Sequence, residues 1–221
     1  MRPNPIPAHI LIKPTISELG DLRFCSLLGA QAWKQLPYAI QKRFSKRLEA
    51  GQTATYAGTI DHVEISKGGR FLAQFLRIIG APLPLRSETG IAAVVTVTED
   101  GQTGGQIWSR LYASRRHFPQ IIQSSKRFSG PTGLEEYIGF AIAMALTART
   151  TRTAIIFESA GYCFKLGKWR LAIPNFMTPG QVTVTHEEVS DDTFRFTLKL
   201  VHPFFGTLVK QSGVFYEGRG I

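Results

Sequence analysis

The sequence predicts a mainly β protein of the α+β kind: a large curved antiparallel sheet, a half-barrel or a closed barrel, with two or three N-terminal helices packed on it. Three observations predict it. From about Ser87 onward, apolar residues recur at period two in segment after segment, the mark of half-buried strands. No helix among those strands is long enough to serve as a parallel crossover, so the sheet is antiparallel. Helical periodicity is confined to the first part of the chain. Nine or ten twisted strands tend to curl or close, which removes exposed edges. With 221 residues, 43% of them hydrophobic, the chain can fill one core. It shows no internal repeat and no linker among the strands, so residues 21–221 are read as one domain, helical over about 21–86 and stranded over about 87–218.

The elements follow in order. Residues 1–20 read as an extended arm, because Pro3, Pro5, Pro7 and Pro14 remove backbone donors and disfavour helix. Leu22, Cys25 and Leu28, with Phe24 and Leu27, then repeat at helical spacing, Asp21 serving as N-cap and Gly29 as stop. Pro37 opens a second helix, in which Leu36, Ile40, Phe44 and Leu48 form one stripe. Lys42, Arg43, Lys46 and Arg47 cover its remainder and Gly51 ends it. A third helix is expected over Arg70 to Ile79. Phe71, Leu72, Phe75, Leu76, Ile78 and Ile79 leave little of it polar, which suits burial on the sheet or a cover over a cavity. Pro82 and Pro84 stiffen the exit turn.

The strands begin with Ile91 to Thr98, a turn at Glu99-Asp100-Gly101 and a return over Gln106 to Ala113. Residues 138–146 read as one strand, with Ile138, Phe140, Ile142, Met144 and Leu146 on one face and Gly139, Ala141, Ala143 and Ala145 on the other. The thin face leaves room for a backbone, a helix or a ligand. Ile155 to Phe157 and Tyr162 to Leu166 follow, separated by a bend at Ala160-Gly161. Phe194, Phe196, Leu198 and Leu200 share the inner face of the clearest half-buried strand, and Thr207 to Glu217 is the last.

Charge narrows the partners. Lys and Arg number 26 against 16 Asp and Glu, a formal net charge of +10, and the pI is near 9.9. Phosphates and anionic surfaces should therefore attract the chain, as nucleic acid or as an anionic membrane. Trp169 between Lys168 and Arg170 is the one segment suited to stacking a nucleic-acid base. Cys25 and Cys163 form neither a disulfide framework nor a zinc knuckle, which points to a reducing compartment. The N-terminus does not read as a signal peptide, and no stretch approaches the roughly 20 apolar residues of a membrane span. The expected location is cytoplasmic, with peripheral membrane contact compatible.

The motifs of common hydrolases, dinucleotide and P-loop folds and zincins are missing, and the sequence marks no catalytic residue, metal ligand or cofactor site. His62 with Glu64, and His186 with Glu188, share strand faces at a spacing that suits either acid/base pairs or polar decoration. His202 continues the inward parity of Leu200, as a satisfied core histidine or a ligand contact. Arg110, flanked by Trp108 and Tyr112, is placed to hold an anionic head group. The candidate ligand-binding residues are Phe71, Phe75, Trp108, Arg110, Tyr112, Tyr162, Trp169, Arg170 and His202.

An ordered series of segments adds a resemblance: Leu28-Gly29, Trp33, Leu36-Pro37, Gly80-Ala81-Pro82-Leu83-Pro84, Trp108-Ser109-Arg110, Tyr162-Cys163-Phe164, Lys168-Trp169-Arg170, Ile173-Pro174, Thr178-Pro179-Gly180 and His202-Pro203-Phe204-Phe205-Gly206. Over roughly Asp21 to Gly218 the chain resembles the uncharacterised bacterial family called domain of unknown function 4166. The resemblance implies a stand-alone or accessory domain, sometimes joined to a nicotinamide-cofactor domain, and no established catalytic residue. The function expected is a non-enzymatic domain holding a hydrophobic or lipid-like anion, such as a medium-length fatty acid, in a sheet cavity. An enzyme or accessory domain working beside an NAD(P)-dependent oxidoreductase and a nucleic-acid-binding barrel are the alternatives.

Overall fold

In the computed structural model of the chain the described residues are 20–46, 48, 52–78, 83, 84, 86–190 and 192–217. Except for Gly20, the arm expected over 1–20 lies outside them, as do Gly51 and most of the turn expected over 80–85. Eleven strands make one antiparallel sheet: β1 (Thr53–Ile65), β2 (Ile91–Asp100), β3 (Gly105–Tyr112), β4 (Gln120–Arg127), β5 (Glu135–Gly139), β6 (Ile142–Thr150), β7 (Ala154–Leu166), β8 (Trp169–Ile173), β9 (Gln181–Ser190), β10 (Thr193–His202) and β11 (Gly206–Glu217). They run in the order β6, β5, β4, β3, β2, β1, β11, β10, β9, β7, and pairing of β6 with β7 closes a barrel of ten strands. Strand β8 pairs with the second half of β7, beyond the stretch that β9 uses. The expected barrel is the fold, and its closure pairs the two end strands of the ten with each other.

Antiparallel neighbours alternate their ends, so the connections divide into two sets. Those between β2 and β3, β4 and β5, β6 and β7, and β9 and β10 share one end with helices α1 (Arg23–Leu28), α2 (Ala30–Lys34) and α3 (Tyr38–Phe44). Three side chains fasten this plug to the strand ends: Arg23 donates to the Gly104 carbonyl, Arg43 to Glu188 and Lys46 to Glu217. Its apolar stripe, Phe24, Trp33, Leu36, Ile40 and Phe44, packs on Leu134, Leu146, Ile155 and Phe157. Phe24 is fully buried, with its ring 4.9–6.0 Å from those of Phe44, Phe128 and Phe157.

Helix α4 (Lys67–Ile78) lies at the opposite end, against β11 and β1. It begins earlier than Arg70 because Ser66 caps it, its hydroxyl accepting the Gly69 N–H at 3.0 Å. A Cβ at Gly69 would stand 2.1 Å from the Leu208 carbonyl oxygen, so only glycine lets the helix sit this close.

Several expectations need correction. Strand structure starts at Thr53 rather than near Ser87, because Ala54, Tyr56, Gly58 and Ile60 alternate with Thr53, Thr55, Ala57 and Thr59. The ring of Phe215 fills the space over Gly58 that a larger residue would take. Residues 138–146 are not one strand. Phe140 and Ala141 turn the chain between β5 and β6 at φ 46° and 62°, the left-handed pair that a two-residue hairpin requires. Asp21 stands one residue before the N-cap of α1, where its carboxylate accepts the Arg23 N–H at 3.0 Å. Strand β7 runs unbroken through Ala160-Gly161.

Candidate ligand-binding cavity

Inward-facing residues of the barrel leave an apolar cavity of about 110 Å³ at its α4 end. Leu76, Leu83, Pro84, Pro179 and Leu200 surround its outer part; Ile122, Ile138, Met144, Val184, Phe196 and Leu198 line the rest. Arg110, Ser124 and Glu136 give it a polar inner wall. A second, smaller cavity of about 40 Å³ lies toward the plug, among Arg43, Tyr56, Trp108, His186 and Phe194, and shares Arg110, Tyr112 and Phe196 with the first.

Strands β3, β4 and β5 build the polar wall, because their register brings three inward positions together. Lys126 pairs across from Glu136, and Ser124 across from Trp108, two residues before Arg110. Glu136 accepts from Ser124 Oγ at 2.5 Å and Lys126 Nζ at 3.2 Å, with Arg110 Nη2 at 3.5 Å. Arg110 also donates to Ser124 Oγ at 3.1 Å. The Lys126 ammonium lies 4.8 Å from the centre of the Trp108 ring. Burial pushes the Glu136 carboxyl up, but Lys126 and Arg110 outweigh it and hold the group at about 2. Burial also lowers the Lys126 pKa, and Glu136 offsets part of that effect. A guanidinium stays charged, so two cationic side chains face one ionised carboxylate inside an apolar barrel. An incoming anion meets an electrostatic surplus there that is little screened.

A separate polar group supports the plug side. Arg43 Nη1 lies 2.9 Å from His186 Nε2 and 3.0 Å from Glu188. Arginine has no acceptor, so Nε2 accepts and the buried imidazole is neutral, with its proton on Nδ1. Burial and the Arg43 charge keep the His186 pKa well below 6.5. Its ring stacks on Phe194 at 4.1 Å. The expected His186–Glu188 pair is thus joined through an arginine rather than directly, and Arg43 Nε and Glu188 Oε1 have no hydrogen-bond partner among the described residues. His62 and Glu64 stand 3.0 Å apart on the partly exposed end of β1.

Of the nine candidate residues, the fold gathers four at the cavities. Trp108, Arg110, Tyr112 and Tyr162 line them, and the Tyr162 hydroxyl donates to the Gly180 carbonyl at 2.9 Å. Phe71 and Phe75 lie on the solvent side of α4, 79% and 55% exposed, while Leu76 turns inward. Trp169 is exposed on the β7–β8 hairpin. Arg170 and Lys165 cross the outer face of the sheet to hold Glu135 at 2.8 and 2.6 Å. That crossing passes the thin face of Ala143 and Ala145, which takes ion-pairing side chains rather than a ligand. His202 is buried, its Nδ1 accepting the Phe204 N–H at 3.2 Å, and serves the β10–β11 turn. Sequence reasoning missed Glu136, Lys126, Ser124 and Arg43; charged residues at inward parity on adjacent strands are the signal that finds them.

Among the described residues no group of three or more His, Cys, Asp or Glu is placed to hold a metal ion, and no helix is long and apolar enough to cross a membrane. Comparison with curated proteins and with solved structures finds no match. A family model does match: residues 36–215, from between α2 and α3 into the end of β11, fit the domain of unknown function designated DUF4166. The match covers all of the barrel but the last two residues of β11, together with Arg43, Arg110 and Glu136, and the chain belongs to that uncharacterised domain family.

Proposed function

We propose that the barrel is a binding module for a small hydrophobic carboxylate or lipid-like anion, with the carboxylate at Arg110 and the apolar tail directed toward α4. One observation carries this reading: the apolar cavity ends on a largely enclosed arginine that shares a buried carboxylate with a lysine. The volume sets the scale. About 110 Å³ is below the roughly 150 Å³ of an apolar cavity that holds benzene, so the cavity takes the head and first carbons of an acyl chain, and a chain of hexanoate's length already reaches its outer end. A longer chain has to leave between Leu76 and Leu83, at the outer end.

Displacement of a fluorescent fatty acid tests the proposal. Hexanoate should displace the dye saturably, and hexanol more weakly, because only the acid makes a charge-assisted hydrogen bond. Arg110→Met should cost hexanoate roughly tenfold to hundredfold in affinity, the worth of a hydrogen bond to a charged group, and change hexanol little. Absence of saturable displacement, or equal loss for acid and alcohol, would refute the assignment.

A further inference from the structure

We infer that the α4 end of the barrel is a docking face for an anionic lipid bilayer, which brings the cavity mouth to the source of its ligand. The docking stands on its own observations; only the purpose of the mouth rests on the cavity reading.

The first observation is an asymmetry of exposed phenylalanines; the exposed aromatic residues at the plug end are the tyrosines Tyr38 and Tyr216. Every exposed phenylalanine among the described residues lies in a connection at this end. Phe71 and Phe75 are on α4, Phe118 joins β3 to β4, Phe140 turns β5 into β6, Phe176 precedes β9, and Phe204 with Phe205 turn β10 into β11. They are between 55% and 93% exposed. The connections at the plug end carry none. Apart from Phe204 and Phe205, whose inner sides meet the His202 ring, these rings at the tips of five connections show most of their surface to solvent, and clustered exposed apolar groups of this kind mark an interaction surface.

The second observation is charge. Residues 66–90 and 113–119, which link β1 to β2 and β3 to β4, hold Lys67, Arg70, Arg77, Arg86, Arg115 and Arg116. Their one carboxylate, Glu88, already accepts from Ser114 Oγ and the Arg115 N–H. The turns 140–141, 174–180 and 203–205 contain no charged residue. Arg77, Arg86, Arg116, Phe118 and Ile121 line one shallow groove beside α4. Rings at the tips with cations beside them fit a surface of anionic head groups over acyl chains, where the rings enter the boundary and the cations meet phosphates. The cavity opens at the same end, with Leu76 and Leu83 at its mouth.

Flotation with vesicles of phosphatidylcholine alone, or with about one third phosphatidylglycerol, tests the inference at low and high salt. The full chain should float with the anionic vesicles and not the neutral ones, and high salt should weaken the association. Phe71→Ser with Phe75→Ser, and separately Arg115→Glu with Arg116→Glu, should each lower the bound fraction roughly tenfold. All four side chains are exposed, and an unchanged unfolding midpoint shows that the fold is intact. Arg110→Met, altered only inside the barrel, should float as the wild type does. Failure to float with anionic vesicles, equal flotation with neutral ones, or flotation indifferent to both rim variants would overturn the docking face. A dimer abolished by the phenylalanine pair, with no vesicle association, would assign the face to a second copy of the chain and overturn it as well. None of these outcomes bears on hexanoate binding in solution, so the two readings fail separately.

Discussion

Replacing Glu136 by glutamine probes the buried charge group with a change of almost no volume. Glutamine still offers Ser124 an acceptor at the position where Glu136 now takes the hydroxyl at 2.5 Å, so packing is retained and the loss is electrostatic. Arg110 and Lys126 are left facing each other without their shared carboxylate. Removing one partner of a buried ion pair costs about 3–5 kcal/mol. Lys126, already inclined by burial to give up its proton, relieves part of the repulsion, which places the expected loss near the lower bound, about 3 kcal/mol. For a domain of this size that corresponds to a fall of roughly 6–12 °C in the unfolding midpoint. Urea denaturation near neutral pH, followed by tryptophan fluorescence, measures the loss, since Trp108 lies beside Lys126. The same substitution should raise hexanoate affinity, because Arg110 and Lys126 then have no protein carboxylate competing with the ligand's for their charge. A variant as stable as the wild type within about 0.5 kcal/mol, or one that binds hexanoate less tightly, would refute the account of this wall.

Other expectations follow from the same structure. Phe24→Ala removes a fully buried ring from the aromatic cluster of the plug and should destabilise by about 3–5 kcal/mol in urea titration; a cost below about 1 kcal/mol would mean that the plug is not part of the cooperative unit. Stability should fall with acid in two phases, because the unfolded chain takes up protons that the folded chain refuses. The first begins as pH drops below 6.5, where unfolded histidine protonates and His186 does not. The second runs from 4.5 toward about 2 as Glu135 and Glu136 protonate, and it should shrink in Glu136→Gln; denaturant midpoints across pH check both. Leu76→Trp should fill the outer part of the cavity and weaken hexanoate binding at a stability cost of about 1–3 kcal/mol. Phe75→Asp, on the outer side of α4, should leave hexanoate binding unchanged in dye displacement.

What was legible in the sequence had one feature in common: contrast between two faces. Strands β2 and β10 announce themselves because bulky apolar side chains alternate with threonine, arginine and lysine, and β10 does bury Phe194 and Leu200 while Phe196 and Leu198 border the cavity. Strand β1 was hidden because its inner face is partly filled from elsewhere, Phe215 covering Gly58. The β5–β6 turn was hidden because Phe140 and Ala141 carry none of the residues that usually take positive φ. On α4 apolar residues occur all round, so composition suggested burial on the sheet or a cover over a cavity that would include Phe71 and Phe75; helical spacing instead sets Ala73 and Leu76 on the barrel and Phe71 and Phe75 opposite them. Arg110 was legible between two aromatics on one strand. Its partners were not, since Lys126 and Glu136 meet only through the register of β4 with β5. Arg43 and Lys46 looked like solvated helix charges, yet both are drawn inward by Glu188 and Glu217.

The central claim, a hydrophobic carboxylate held head-inward inside the barrel, is tested most directly by isotope-filtered NMR of methyl-labelled protein with hexanoate. The account predicts contacts from the ligand's terminal methyl group to Leu76, Leu83 and Leu200, contacts from the carbon next to its carboxylate to Ile122 and Met144, and loss of both sets in Arg110→Met. Contacts confined to exposed side chains such as Phe71 or Phe204, or a tail that meets Met144 while the carboxylate end meets Leu76, would contradict it.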